Sequence, residues 1–324
     1  MSKIQSENKR VESSLIACLD PSSILGDSTK AFVIFYKGFL FITTLLTELR
    51  FKNNLTEQPK SLNIILIIIM KKIIIYIVLI VTIIPIKSWA WGEKGHQLVA
   101  EVAFKQLDKK TRKLILKYLD GMTIEEASTW MDDIKKDHSY DKLKPLHYVN
   151  FDKGNQVKDT CCDNIIHALN ETIRDLKHYK DFSKEDVKIK LCYLFHLIGD
   201  LHQPLHVGYG SDKGGNSYKV YFNGKGTNLH ALYDYGIIEY ENLKLKDCLK
   251  AKKYSEKELN DLFHGNVVDW AKESRSYLEE IYTTNTTIET HYTEANYVMI
   301  KIQIQKAGLR LSKILKDSFR ETNN

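Results

Sequence analysis

Between Val187 and Leu201 the apolar residues Val187, Leu191, Leu194, Phe195, Ile198 and Leu201 recur at helical spacing, and Pro204 ends the run. The same run carries His196 and Asp200, one helical turn apart. Positions i and i+4 share a face, so an imidazole and a carboxylate point at one spot from a helix otherwise fit for a core. Partners for that spot follow along the chain. His206 lies just past Gln203-Pro204, and His230 and Asp234 repeat the spacing on what should be the next helix. His96 and His147 stand upstream. Together these are nitrogen and oxygen donors of the kind that suits zinc. A single His-x3-Asp pair is more often a buried histidine bonded to a carboxylate. Two pairs within about forty residues shift the balance, yet spacing alone leaves both readings open.

The surroundings read as helix. Ile165, Ile166, Leu169, Ile173 and Leu176 mark one element, with Asp163 or Asn164 as its cap. A long helix is expected from about Thr293 to Leu315. One stretch departs from this pattern: Tyr218, Val220 and Phe222 alternate before Asn223-Gly224, which predicts a small β-ribbon. With no repeat and no linker, residues 91–324 are expected to form a single all-α domain with that ribbon as an excursion.

The first ninety residues differ in kind. Met70-Lys71-Lys72 precedes the apolar run Ile73–Ile86 and then Ser88-Trp89-Ala90. Charged start, short apolar centre and small-x-small end have the anatomy of a secretory signal peptide, and the run is short of the roughly 20 residues of a membrane span. The expectation is translation from Met70, cleavage after Ala90, and residues 1–69 as a mis-assigned extension. In the alternative, the apolar stretches are retained anchors. Residues 1–90 carry 11 Lys/Arg against 6 Asp/Glu, leaving 36 against 35 beyond them. The near-neutral remainder could not hold a polyanion with a lysine-rich surface, whereas bound cations could. Export implies an oxidising compartment. Cys192 reads as a buried thiol; the four cysteines of this part allow three full pairings, and a bridge from Cys161 or Cys162 to Cys248 is one reading among them.

Read in order, Trp91-Gly92…Gly95-His96, Trp130-Met131-Asp132, His147-Tyr148-Val149, His196…Asp200, Gln203…His206, Gly214-Gly215-Asn216 and Asn228…His230…Asp234 resemble the zinc-dependent single-strand-specific nucleases of fungi, plants and bacteria. The likeness spans residues 91–324 and includes Ala307–Leu311 of the last helix. It implies the phospholipase C/nuclease type of helical fold, with three zinc ions in a cleft. Carried over, Asp132, His147, His196 and Asp200 would hold the first ion. His206, His230 and Asp234 would hold the second. The third would sit on His96, Asp200, and the free amine and carbonyl of Trp91, so that cleavage after Ala90 completes the centre. The implied activity is endonucleolytic hydrolysis of single-stranded DNA and RNA to 5′-phosphorylated products, in a secreted or periplasmic enzyme with no stable protein partner; action on 3′-mononucleotides is left open.

Three further roles follow from the resemblance. Tyr148 would stack on an unpaired base, unless it is core. Asn150 stands where fungal members have an Asp that orients water, and Lys135 where a phosphate-binding Arg is common; an amide cannot take a proton, and a lysine lacks the bidentate fork. Tyr233 replaces a Trp beside Asp234. His202 is expected behind the ligands, while His138, His167, His178, His264 and His291 fit no ligand position. Lys250–Lys253 reads as a solvated charge run. The rival readings are a zinc-dependent phospholipase C, which tends to carry Glu at the position of Asp234, and a catalytically silent zinc-binding surface protein.

Overall fold

The structure, a computed structural model, describes residues 91–160 and 163–320. The expected extension, signal peptide and cleavage point before Trp91 lie outside the described residues, as do Cys161 and Cys162. All the described residues fall in one compact unit.

The helices are α1 (Glu93–Gln106), α2 (Lys109–Leu119), α3 (Ile124–Asp133), α4 (Ile165–Lys177), α5 (Lys184–His202), α6 (Leu229–Ala231), α7 (Ile237–Tyr240), α8 (Leu245–Leu249), α9 (Glu256–His264), α10 (Val267–Arg275), α11 (Leu278–Ile281) and α12 (Thr290–Ser318). Local chemistry fixes their ends. Thr123 and Glu126 form a capping box that starts α3. Asn164, rather than Asp163, caps α4 by accepting from the amides of Ile166 and His167. Ser183 starts α5 in the same way, and Pro204 opens the 3-10 turn Pro204–Val207 after it. The long last helix runs about three residues further at each end than its apolar pattern predicts.

Helix α5 packs against α1, α3, α4 and α12. Its second half, from Leu191 to His202, is buried apart from half-buried Tyr193, as expected of a helix that is apolar all round. Helix α12 lies along α1 at close range. A side chain on Gly308 would begin 2.5 Å from Val102 Cγ1, so glycine sets that approach.

The ribbon forms where the alternation places it. Strands β1 (Lys219–Phe222) and β2 (Lys225–Asn228) pair antiparallel with Phe222 opposite Lys225. Asn223 and Gly224 both take positive φ, as a tight two-residue hairpin requires. The element after it departs from expectation. Instead of one regular helix, α6 leads into a π-helical turn, Leu232–Gly236, and then α7. Such turns concentrate at functional sites, and this one carries Asp234.

The bridge considered for Cys248 has its other end, Cys161 or Cys162, outside the described residues. Cys248 is a buried free thiol on α8, which packs against α1 and α12, and burial raises its pKa to about 12. Cys192 is also a buried free thiol, as expected.

Candidate metal centre

Asp132 comes from the last turn of α3, His147 from the end of the 3-10 stretch His138–His147, and His196 and Asp200 from α5. His96 comes from the first turn of α1, which places it against α5. A Cβ on Gly199 would lie 2.7 Å from His96 Nδ1, so only glycine at 199 admits this imidazole. His206 follows the Pro204 turn. His230 and Asp234 straddle the π turn.

The side chains meet. Asp200 lies at the middle, with Oδ1 3.2 Å from His96 Nε2 and 3.6 Å from His206 Nδ1. Its Oδ2 is 2.9 Å from His147 Nδ1 and 3.2 Å from His196 Nε2. Those two histidine nitrogens are themselves 2.9 Å apart, and Asp132 Oδ1 is 3.7 Å from His196 Nε2. Nearby, Asp234 lies 3.7 Å from His206 Nε2 and 3.3 Å from His230 Nε2. Three groups have donor atoms all within 4.8 Å of one another: His96/Asp132/His196, His147/His196/Asp200 and His206/His230/Asp234.

This arrangement is incomplete as a hydrogen-bond network. His96 Nδ1 and Nε2, Asp132 Oδ2, His147 Nε2, Asp200 Oδ1 and His206 Nε2 are buried without a hydrogen-bond partner. Orphaned polar atoms at this density are costly, and a divalent cation among hard donors removes the cost. The donors therefore fit a divalent cation, one of the two readings that the spacing leaves open.

The outer contacts orient the rings. His196 Nδ1 donates to Ser128 O at 2.8 Å, and His230 Nδ1 to Gly214 O at 2.6 Å. Each leaves Nε2 free to face the cluster, the usual arrangement behind a metal-bound histidine. His206 Nδ1 is tied to the His147 carbonyl at 2.7 Å. Gly214 reaches its position only with φ +61, and a Cβ there would sit 2.3 Å from Leu205 O. Gln203 grips both sides: Nε2 donates to Asp234 Oδ1 at 2.6 Å, and Oε1 accepts from the Leu205 amide. The chain segments are held as well. Val149 N donates to His206 O and Phe151 N to Gly208 O, pairing the stretch after His147 with the stretch after His206.

Within the cluster the carboxylates and imidazoles shift one another's pKa values. Burial would raise the Asp200 pKa, but His196, His206 and hydrogen bonds from His147 and His196 outweigh it and hold the carboxyl well below its usual range. Asp132 is likewise lowered: burial opposes, while His196 and Lys135 prevail. Burial drives His147 down to about 4. For His206 burial again works against charge, yet Asp200 and Asp234 carry it up to about 9. Cation binding at such a centre displaces protons.

Lys135 Nζ sits 2.5 Å from Asp132 Oδ1 at the rim. Tyr148 is 45% exposed, so the core alternative for it is wrong. Asn150 is half-buried near Gly214, with Oδ1 unpartnered. Trp91 is buried beside the cluster: its indole packs on Gly95, and the next amide, Gly92 N, donates to Asp234 O at 2.7 Å.

His202 corrects an expectation. It does not stand behind the ligands, because two residues beyond Asp200 is the opposite face of α5. There its Nδ1 bonds Ile198 O and its Nε2 faces Arg310 Nη1 at 2.7 Å. Gly199, Gln203 and the carbonyl of Ser128 were not singled out by sequence, although Gln203 stands inside a quoted motif.

A helical scaffold that gathers five histidines and three carboxylates into one buried cluster with orphaned donor atoms defines a class, the proteins built around a multi-donor divalent-cation centre. The comparison with known proteins is narrower. The family model described as S1/P1 Nuclease matches residues 91–320, and the chain belongs to that family. It is 27% identical over 289 residues to Endonuclease 4 of Arabidopsis thaliana, covering 75% of this chain and 93% of that protein. It is 25% identical over 262 residues to Nuclease S1 of Aspergillus oryzae, covering 69% and 90%. Endonuclease 2 of Arabidopsis thaliana is 31% identical over 165 residues, 46% of this chain and 56% of that relative. The chain is therefore a nuclease, and family membership decides against phospholipase C.

Proposed function

We propose that this protein is an exported zinc-dependent endonuclease that hydrolyses single-stranded DNA and RNA to 5′-phosphorylated products. The observation that carries the reading is the meeting of Asp132, His147, Asp200 and His230 around one set of orphaned buried donors, in a chain of the S1/P1 nuclease family. Asp132, His147, His196 and Asp200 would hold one zinc ion; His206, His230 and Asp234 a second; His96, Asp200, and the amine and carbonyl of Trp91 a third. Bound zinc supplies an activated water at neutral pH and stabilises charge on a phosphoryl group.

The chain's own residues do the rest. Gln203 and the three carbonyls fix the donors in register before any cation arrives. Tyr148 presents an exposed ring beside His147, and stacking on it needs a base free of its partner, which selects single strands. The uncommitted Oδ1 of Asn150 accepts a hydrogen bond from attacking water without taking its proton. Lys135 holds Asp132 and adds one positive charge at the mouth, as a point charge rather than a fork. A nearly neutral catalytic region leaves phosphate recognition to the cations. A neutral amine on Trp91 is a usable ligand where an amide is not, so cleavage after Ala90 would finish the third position.

The test is hydrolysis of denatured against duplex DNA by the mature protein, with and without a chelator. Preference for the denatured strand, abolished by chelation and leaving 5′-phosphates, is the expected result. Equal cutting of both substrates, or cutting untouched by chelator, ends the reading.

A further inference from the structure

Between the Pro204 turn and β1 the backbone takes a rare path. Lys213, Gly214 and Gly215 follow one another at positive φ, +56, +61 and +82. Glycine enters that region freely and lysine does not. Backbone held there persists only where its surroundings over-determine it, and such strain gathers at functional sites. A function lies within reach of this turn. Gly214 O accepts from His230 Nδ1 at 2.6 Å, and Gly215 O accepts from the His230 amide at 3.3 Å. The turn thus sets both the backbone and the ring of one donor of the centre.

Asp212 ties the turn to the rest of the molecule. Its Oδ1 accepts from Gly215 N at 3.0 Å, and its backbone O accepts from Ser217 N at 2.9 Å. The other carboxylate oxygen, Oδ2, accepts from the Tyr282 hydroxyl at 2.6 Å. Burial first, and then Asp212, raise the Tyr282 pKa, so the phenol keeps its proton and donates. Tyr282 follows α11, far along the chain, and is itself fixed. Its ring lies 5.2 Å from that of Tyr209 and 5.6 Å from that of Tyr218. The residues after it are tied to the ribbon, where the Tyr218 hydroxyl donates to Thr284 O and Tyr221 N to Thr286 O.

We propose that Asp212 and Tyr282 are positioning residues for the metal centre: they hold the left-handed turn whose Gly214 carbonyl aims His230 at the position it shares with His206 and Asp234. Neither touches a cation or a substrate; both act through Gly214. The inference rests on the reading of these donors as a zinc centre and adds the device that sets one of them. Geometry rather than charge is what Asp212 contributes. An asparagine there would still accept from Gly215 N and would donate to the Tyr282 oxygen, the phenol turning from donor to acceptor.

The test is stepwise zinc binding by the chelator-stripped mature protein, read by competition with a chelating dye. His230→Ala marks the class of site that this histidine completes. Asp212→Ala is expected to weaken that class about tenfold, the low end for a group behind a metal-bound histidine, and to leave the other classes unchanged. Tyr282→Phe keeps the ring contacts and loses one hydrogen bond, which should weaken the same class about threefold to fivefold. Asp212→Asn should recover most of what alanine loses. Equal weakening of every class would make the pair merely structural and overturn the proposal. So would a His230 class untouched by Asp212→Ala, or an asparagine no better than alanine. If Asp212→Ala does not fold, Tyr282→Phe decides alone, and an unchanged His230 class in it overturns the proposal. Binding of no zinc at all ends the zinc reading and this inference with it, whereas the other failures end this inference only.

Discussion

At the scale of single residues, the centre depends on side chains that never touch a cation. Gln203 bonds Asp234 Oδ1 and the Leu205 amide at once, so it sets the carboxylate's rotation relative to His206 and His230. Gln203→Leu keeps the volume and removes both bonds. Metal affinity at that position is expected to fall about 10- to 100-fold, read by competition with a chelating dye, with Gln203→Glu recovering little because a second carboxylate faces the first. The sequence announced the donors because each lies in a local pattern, His and Asp four apart or His beside a proline turn. It was silent on Gly199, whose lack of a side chain matters only because His96 arrives from a helix about a hundred residues earlier. The role of His202 was misread for a similar reason. Proximity in sequence to Asp200 hid the half-turn that sends it to the other face.

Among elements, Arg275 of α10 has an uncommon load. Its guanidinium donates to the carbonyls of Val207, Gly208, Phe151 and Asp152, between 2.6 and 3.0 Å, and lies over the rings of Phe151 and Tyr209. It thus straps together the two extended segments that leave His147 and His206. Arg275→Met should lower stability by about 2–4 kcal/mol, since four acceptors lose a charged donor, measured by chemical denaturation. Arg275→Lys should recover only part, lacking the fork.

The second polar network lies behind α5, where Arg310 meets His202, Glu273 and the face of Trp270. Burial alone would raise the Glu273 pKa; bonds from Arg310 and Lys306 overcome it and bring it to about 2. Burial, then Arg310, take His202 down to about 3. Both folded values lie below the unfolded ones, so the unfolded chain binds more protons in acid. Stability from His202 is complete above about pH 6.5 and erodes as pH falls toward 3; that from Glu273 is complete above about 4.5 and erodes toward 2. Denaturant midpoints measured down the acid limb should fall in these two windows, and His202→Gln should shrink the loss in the upper one, which His147 shares. Helix periodicity, caps and the Asn-Gly turn made α4, α5, α12 and the ribbon legible in advance. The Arg275 strap and the Arg310 network were not, because their partners are set by packing between segments tens to more than a hundred residues apart. The π turn was equally hidden: nothing in Leu232–Gly236 marks it as other than helix.

For the molecule as a whole, the centre is both the chemistry and a fault in the core. Buried orphaned donors cost the metal-free fold stability, and a ligand that binds only the folded state returns it by mass action. Chelation should therefore lower the thermal midpoint by several degrees, as seen by calorimetry at constant pH, and stoichiometric zinc should restore it. A midpoint unmoved by chelator would mean that these donors hold nothing.

The donors are drawn from α1, α3, the approach to Tyr148, α5, the Pro204 turn and the helical run after the ribbon. No copy that stops short of Asp234 contains them all. A chain ending before that point is therefore expected to assemble no complete centre, and denatured DNA incubated with it should stay intact.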